Sequence, residues 1–98
     1  MYLRVWEYEV VDEHVGVFTS TYGAGGAWVE LFAQGHGYLG THLYRDLDRP
    51  AWFITIDRWI DEASWHAFLD RFRTDYLTLD HRTRDLTLDE RALLEGDA

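Results

Sequence analysis

Apolar and polar residues alternate along Tyr2–Val11 (YLRVWEYEVV), a stretch rich in aromatic and β-branched side chains, which predicts a first strand. The alternation puts Leu3 and Val5 on one face and Arg4, Trp6 and Tyr8 on the other. The polar cluster Asp12-Glu13-His14 interrupts it. Val15, Phe18 and Tyr22 then recur at intervals of three and four, which is helical spacing. Gly23-Ala24-Gly25-Gly26 breaks that helix, because each interior glycine costs ~1 kcal/mol relative to alanine. Trp28, Leu31 and Phe32 resume the helical spacing and predict a second piece, ended by Gly35-His36-Gly37.

Tyr38–Asp46 (YLGTHLYRD) reads as a second strand and Ala51–Ile60 (AWFITIDRWI) as a third, the strongest β signal in the chain. Leu47-Asp48-Arg49-Pro50 turns between them, since proline fixes its own φ and restricts its predecessor. So short a connection predicts a hairpin. Asp61 is a good helix N-cap with Glu62 at the positive helix end, and Phe68, Leu69, Phe72 and Tyr76 supply an apolar stripe. The helical signal weakens after Leu79. Thr87-Leu88-Asp89-Glu90 matches a capping box, and Ala92-Leu93-Leu94 reads either as a short final strand or as the end of a small helix.

The order β-α-β-β-α, with a final strand left open, predicts one α+β domain over residues 1–98. Its expected architecture is a ferredoxin-like βαββαβ fold with helices on one face of an antiparallel sheet. Leu3, Val5, Leu39, Leu43, Ile54 and Ile56 are expected to face the helices. The opposite face then carries Arg4, Trp6, Tyr8, Tyr38, His42, Tyr44, Thr55, Asp57 and Trp59. Monomers rarely expose apolar patches beyond a few hundred Å². A homodimer burying that open, aromatic sheet face is therefore expected.

Composition narrows the chemistry. Eighteen acidic residues against nine basic ones give a formal charge of -9, which repels phosphate backbones and argues against a nucleic-acid partner. Every base is arginine, so a lysine Schiff base and a phosphate-loop lysine are excluded. The absence of cysteine removes thiol catalysis, disulfides and cysteine zinc sites, and fits a reducing cytoplasm. No apolar run approaches the ~20 residues of a membrane span, and no charged-then-apolar leader opens the chain, so a soluble, unprocessed protein is expected.

Several segments resemble a known family. Tyr2-Leu3-Arg4-Val5-Trp6-Glu7-Tyr8, Tyr22-Gly23 with Gly26 and Trp28, Gly37-Tyr38-Leu39-Gly40-Thr41, Arg45-Asp46 and Thr55-Ile56-Asp57-Arg58-Trp59 are similar to uncharacterised members of the antibiotic-biosynthesis-monooxygenase-like, dimeric α/β-barrel superfamily. The likeness covers roughly residues 1–80, and Asp57-x-Trp59 matches an acidic-x-Trp common at the end of the third strand. The resemblance implies a ferredoxin-like dimer with a pocket between sheet and helices in each subunit. It also implies cofactor-independent oxygenation of a phenolic or polycyclic aromatic substrate: the deprotonated substrate reduces dioxygen itself, and the protein supplies a base, hydrogen-bond donors and a dry pocket. Haem-degrading members use an Asn, Trp and His set. This chain has no asparagine, and Phe68 falls about where their helix tryptophan lies, so that chemistry does not carry over.

The candidate catalytic residues are His42 and Asp57, as base and orienter across the second and third strands, with Tyr44 or Tyr8 donating to an oxyanion. The bland reading is a pair of interior polar groups satisfying each other. Trp6 and Trp59 are candidate stacking walls for a planar ligand, although interior aromatics are more often plain core. Tyr22 and Trp28 flank the glycine-rich segment as a candidate pocket rim. Arg4 on an inner face needs a carboxylate partner or an anionic ligand. The glycine-rich segment follows no strand and carries no lysine, so it is not a dinucleotide or phosphate loop. His14, His36, His66 and His81 are scattered singly, and neither a metal nor a cofactor is expected. A non-catalytic pocket protein holding a small aromatic or lipid-like molecule is the competing expectation.

Overall fold

The computed structural model describes residues 1–98. The chain runs β1 (Tyr2–Val10), α1 (Val15–Tyr22), α2 (Ala27–Phe32), β2 (Tyr38–Arg45), β3 (Trp52–Trp59), α3 (Glu62–Thr83) and β4 (Thr87–Asp97). Short 3-10 turns precede α1 and β4 at Asp12–His14 and Arg84–Leu86. The strands form one antiparallel sheet in the order β2-β3-β1-β4, the ferredoxin-like α+β arrangement. No helix is long and apolar enough to cross a membrane.

Local signals set most element ends. Asp61 Oδ1 accepts from the Ser64 amide at 2.8 Å and from its hydroxyl at 2.7 Å, which caps α3. Asp46 Oδ1 accepts from the amides of Asp48 and Arg49, which folds the turn between β2 and β3. α3 runs to Thr83, beyond the fading of its signal at Leu79, because Tyr76, Leu79 and Thr83 keep the inward stripe going. Phe72 leaves helical geometry (φ -112, ψ 20), and its ring stacks on Phe68. Thr87–Glu90 opens β4 and caps no helix. This segment is mostly exposed and polar, so backbone pairing with β1 holds it where side-chain patterning says little.

The two sheet faces are reversed from the sequence expectation. Tyr2, Tyr8, Val10, Phe53 and Trp59 face the helices and meet Phe18, Tyr22, Trp28, Phe32, Trp65 and Phe68 in one core. Leu3, Val5, Ile54 and Ile56 lie on the open face, and only Leu43 of the expected aliphatic set packs on the core. Rings bury more surface apiece than aliphatic chains, so a sheet matched to aromatic helix stripes turns its rings inward. The aromatic face is thus covered by the chain's own helices. The face left open is aliphatic, with Tyr44 and Leu94 about half exposed at 51% and 49%.

A bulge in β2 changes parity. Tyr38 pairs with Trp59, Gly40 with Arg58 and Thr41 with Asp57, so Leu39 is the extra residue. Gly40 sits at φ +130, a conformation glycine adopts freely. Tyr38 and Thr41 therefore share the inner face. His42 and Tyr44 are outside it.

Candidate functional site

Between the sheet and the helices lies a cavity of about 50 Å³. Its floor is Arg4, Trp6 and Tyr8 of β1, Thr41 of β2, and Thr55 with Asp57 of β3. Tyr22 and Trp28 close it from α1 and α2, Trp65, Tyr76 and Asp80 from α3, and Glu90 from β4. The roof is held ring against ring: Tyr22 lies 5.1 Å from Tyr8, and Trp28 meets Tyr76 edge-on at 5.1 Å between centroids. A space this size holds a few waters, since one water needs roughly 10–15 Å³ by this kind of measure.

Asp57 is the buried carboxyl of the site, 7% exposed. Burial pushes its pKa up from an ordinary 3.8 to about 6, against the opposing pull of a Thr41 hydrogen bond and the Arg4 and Arg58 charges. Thr41 Oγ1 donates to Asp57 Oδ1 at 2.6 Å. That hydroxyl has one proton, so the Tyr38 hydroxyl, 2.5 Å from Thr41 Oγ1, donates in turn. Arg4 places its guanidinium 4.0 Å over the Trp65 ring and donates to Glu95 Oε1 at 2.7 Å, a cross-strand ion pair between β1 and β4. Its charge is thereby neutralised where isolation would be costly.

The phenols around the cavity stay protonated. Burial drives Tyr8 well above the ordinary tyrosine range, Tyr22 up to about 12 and Tyr76 upward as well. Tyr8 Oη shares a 3.0 Å hydrogen bond with Thr55, and Tyr22 donates to Thr83 Oγ1. The Trp28 indole nitrogen is buried with no partner. The site therefore combines one group that ionises near neutrality with several neutral O–H and N–H donors. Arranged this way, it can accept a proton and hydrogen-bond an anion in a water-poor space.

No protein-family model matches the sequence, and no curated protein matches it either. Solved structures do. A candidate antibiotic biosynthesis monooxygenase from Deinococcus radiodurans superposes with a TM-score of 0.70 at 18% identity, covering 100% of this chain and 95% of that one. SnoaB, a cofactor-independent oxygenase from Streptomyces nogalater, gives 0.66 at 19% identity, covering 99% and 94%. A variant of MhuD with two manganese protoporphyrin IX molecules bound per active site gives 0.73 at 15% identity, covering 100% and 94%. This chain has the antibiotic-biosynthesis-monooxygenase fold.

On that fold, the structure brings together Arg4, Trp6, Tyr8, Tyr22, Trp28 and Asp57 around this cavity. Trp59 is fully buried and packs behind the cavity against Phe32, Tyr38, Trp65 and Phe68. His42 and Tyr44 are a correction. Both lie on the open face, where His42 Nδ1 accepts from Arg58 Nη1 at 2.7 Å and the two rings stack 6.1 Å apart. The β2 bulge is the physical reason: it puts Thr41, not His42, opposite Asp57. A His42–Asp57 pair is excluded, and Tyr44 cannot donate into the cavity from the other face. Thr41, Thr55, Tyr76, Asp80 and Glu90 are the site residues that the sequence reading passes over. Gly40 inside a strand pattern was the signal for the bulge, and so for Thr41.

Proposed function

We propose that this chain is a small-molecule pocket protein that oxidises a phenolic or polycyclic aromatic substrate with dioxygen and without a cofactor, using Asp57 as the base. The supporting observation is a cavity-lining carboxyl, 7% exposed, with a pKa near 6. At neutral pH it is ionised, yet its proton affinity exceeds that of an ordinary carboxylate. It takes the substrate's proton, and the resulting anion reduces dioxygen. Carbon–oxygen bond formation and loss of water then leave a carbonyl on the ring. Tyr8, Tyr76 and the Trp28 indole N–H donate to the anion, and Trp6 stacks on the ring system. SnoaB's description as a cofactor-independent oxygenase on the same fold makes this the chemistry to test first.

The cavity of about 50 Å³ is smaller than a polycyclic ring system, so binding one requires the lining side chains to move apart.

Oxygen uptake with hydroquinones of one to three fused rings tests the proposal. The rate is expected to rise with pH through about 6 as Asp57 ionises. It should fall roughly 10²–10⁴-fold in Asp57→Asn, the usual contribution of a general base. His42→Ala should keep the wild-type rate. A wild-type protein that consumes no oxygen but retains an unaltered aromatic ligand in native mass spectrometry overturns the catalytic reading and leaves a binding protein.

We also propose a homodimer through the open sheet face. Leu3, Val5, Ile54, Ile56 and Leu94 line that face, and buried Glu7 is neutralised there by Arg91 at 2.8 Å and Arg49 at 3.3 Å. A largely aliphatic face with its buried charge already paired suits a second copy of itself. The native mass is expected at twice the 11.6 kDa chain. Ile56, between Val5 and His42 in the register, is the test position: Ile56→Glu should sediment as a folded monomer. A monomeric wild type contradicts the assembly.

A further inference from the structure

We propose that Thr41 and Tyr38 form a hydroxyl relay carrying protons between Asp57, on the cavity, and solvent at the β2 edge of the sheet. The relay rests on the reading of Asp57 as a base. It adds a route by which that base is reset while a ligand seals the cavity.

The geometry is continuous. Tyr38 Oη lies 2.5 Å from Thr41 Oγ1, and Thr41 Oγ1 lies 2.6 Å from Asp57 Oδ1. Asp57 and Thr41 line the cavity, whereas Tyr38 does not. Thr41 and Tyr38 are both half-buried on the edge strand whereas Asp57 is buried, so the chain leads from a buried carboxyl to two hydroxyls at the partly exposed sheet edge. Only the β2 bulge makes this possible, since it turns residues three apart to the same face.

Each hydroxyl is both donor and acceptor, so the chain can run in either direction. With Asp57 ionised, Tyr38 donates to Thr41 and Thr41 to the carboxylate. When Asp57 takes the substrate's proton, the carboxylic acid passes a proton to Thr41 Oγ1 as Thr41 passes its own to Tyr38 Oη. Tyr38 releases one to water. The reaction as a whole releases no proton, so the one held in solvent while the anion meets dioxygen returns along the same chain to complete the water that is lost, and both hydroxyls are restored by rotation. No other polar side chain offers Asp57 a hydrogen bond.

The groups facing Asp57 from its neighbours do not replace this route. Arg4 is held by Glu95, Tyr8 by Thr55 and Tyr22 by Thr83. Tyr76 and Asp80 of α3 and Glu90 of β4 look onto the cavity itself, which a ligand would fill. Arg58, although adjacent in sequence, donates to His42 on the far face.

Carboxyl-carbon NMR titration of Asp57 and hydroxyl exchange of Thr41 in the full-length protein test the relay. Thr41→Val removes the donor to the carboxylate and should raise the Asp57 midpoint by about one pH unit, tenfold in proton affinity. Thr41→Ser keeps the hydroxyl and should titrate like the wild type. Tyr38→Phe should slow exchange of the Thr41 hydroxyl with water at least tenfold while amide protection is unchanged. A Thr41→Val titration identical to wild type, or Tyr38→Phe exchange as fast as wild type, overturns the relay. Neither readout involves oxygen uptake, so failure of the relay and failure of the oxygenase reading are told apart.

Discussion

At pH 7, Asp57→Asn is expected to unfold at higher denaturant than the wild type, with a gain of about 2–3 kcal/mol. The sign follows from linkage. The carboxyl pKa is raised from 3.8 to about 6 on folding, so the native state holds the proton more tightly than the unfolded chain. The stability this provides is fully present below about pH 4 and is lost as pH rises through about 6. By pH 7 the native protein carries a buried carboxylate that the unfolded chain would hydrate. A shift of about two units corresponds to about 3 kcal/mol, since one unit is ~1.4 kcal/mol. Asparagine keeps an oxygen for the Thr41 hydroxyl and has no charge to bury. The two proteins should converge in stability near pH 4, which separates a charge effect from a packing effect. Equal stabilities at pH 7 would mean that Asp57 is better solvated than its surroundings indicate. The same substitution is expected to slow oxygen uptake by roughly 10²–10⁴-fold, so one change would make the protein more stable and less active.

The strain at Asp57 also shows why the site was only half legible in the sequence. Alternation in β1 and β3 correctly groups Arg4, Trp6 and Tyr8, and Thr55, Asp57 and Trp59, because period-two patterning decides which residues share a face. It does not say which face receives the helices. Treating aliphatic residues as core put Leu3, Val5, Ile54 and Ile56 under the helices, whereas the helix stripes themselves (Phe18, Tyr22, Trp28, Phe32, Trp65, Phe68) are rings and pack on rings. In β2 the alternation itself fails at Leu39, because the bulge adds a residue. The base–orienter pairing of His42 with Asp57 fails with it. Gly40 marked the place. β4 was ambiguous for a different reason: an edge strand exposed along most of its length has no hydrophobic alternation to read, and its position is set by the ladder to β1. α1, α2, the turn at Leu47–Pro50 and the Asp61 cap were legible because each depends on contacts within a few residues.

The largest loss of stability is expected at Trp59. Its side chain is fully buried, with ring centroids 5.1–5.9 Å from those of Tyr38, Phe68, Trp65 and Phe32. It joins β3 to α2, β2 and α3 at once. Trp59→Ala should cost about 3–5 kcal/mol, as large aromatic truncations do, out of a total of roughly 5–15 kcal/mol for a domain. Trp59→Phe should cost much less than the ring area it removes. The indole nitrogen of Trp59 is buried without a hydrogen-bond partner, and deleting an unsatisfied group returns ~1–3 kcal/mol. Gly35 provides an independent check on the packing. A Cβ there would lie 3.0 and 3.1 Å from Cζ3 and Cη2 of Trp59 and 2.8 Å from Cδ1 of Phe68. Gly35→Ala alone should therefore cost ~1–3 kcal/mol through overpacking. In the Trp59→Phe background the benzo ring that carries Cζ3 and Cη2 is gone, so the cost should fall by at least ~0.5 kcal/mol. Denaturant unfolding of the wild type, both single variants and the double variant measures this coupling. Strict additivity would mean that the methyl is absorbed by Phe68 instead, and that Trp59 does not set how closely α2 and its following turn approach the sheet.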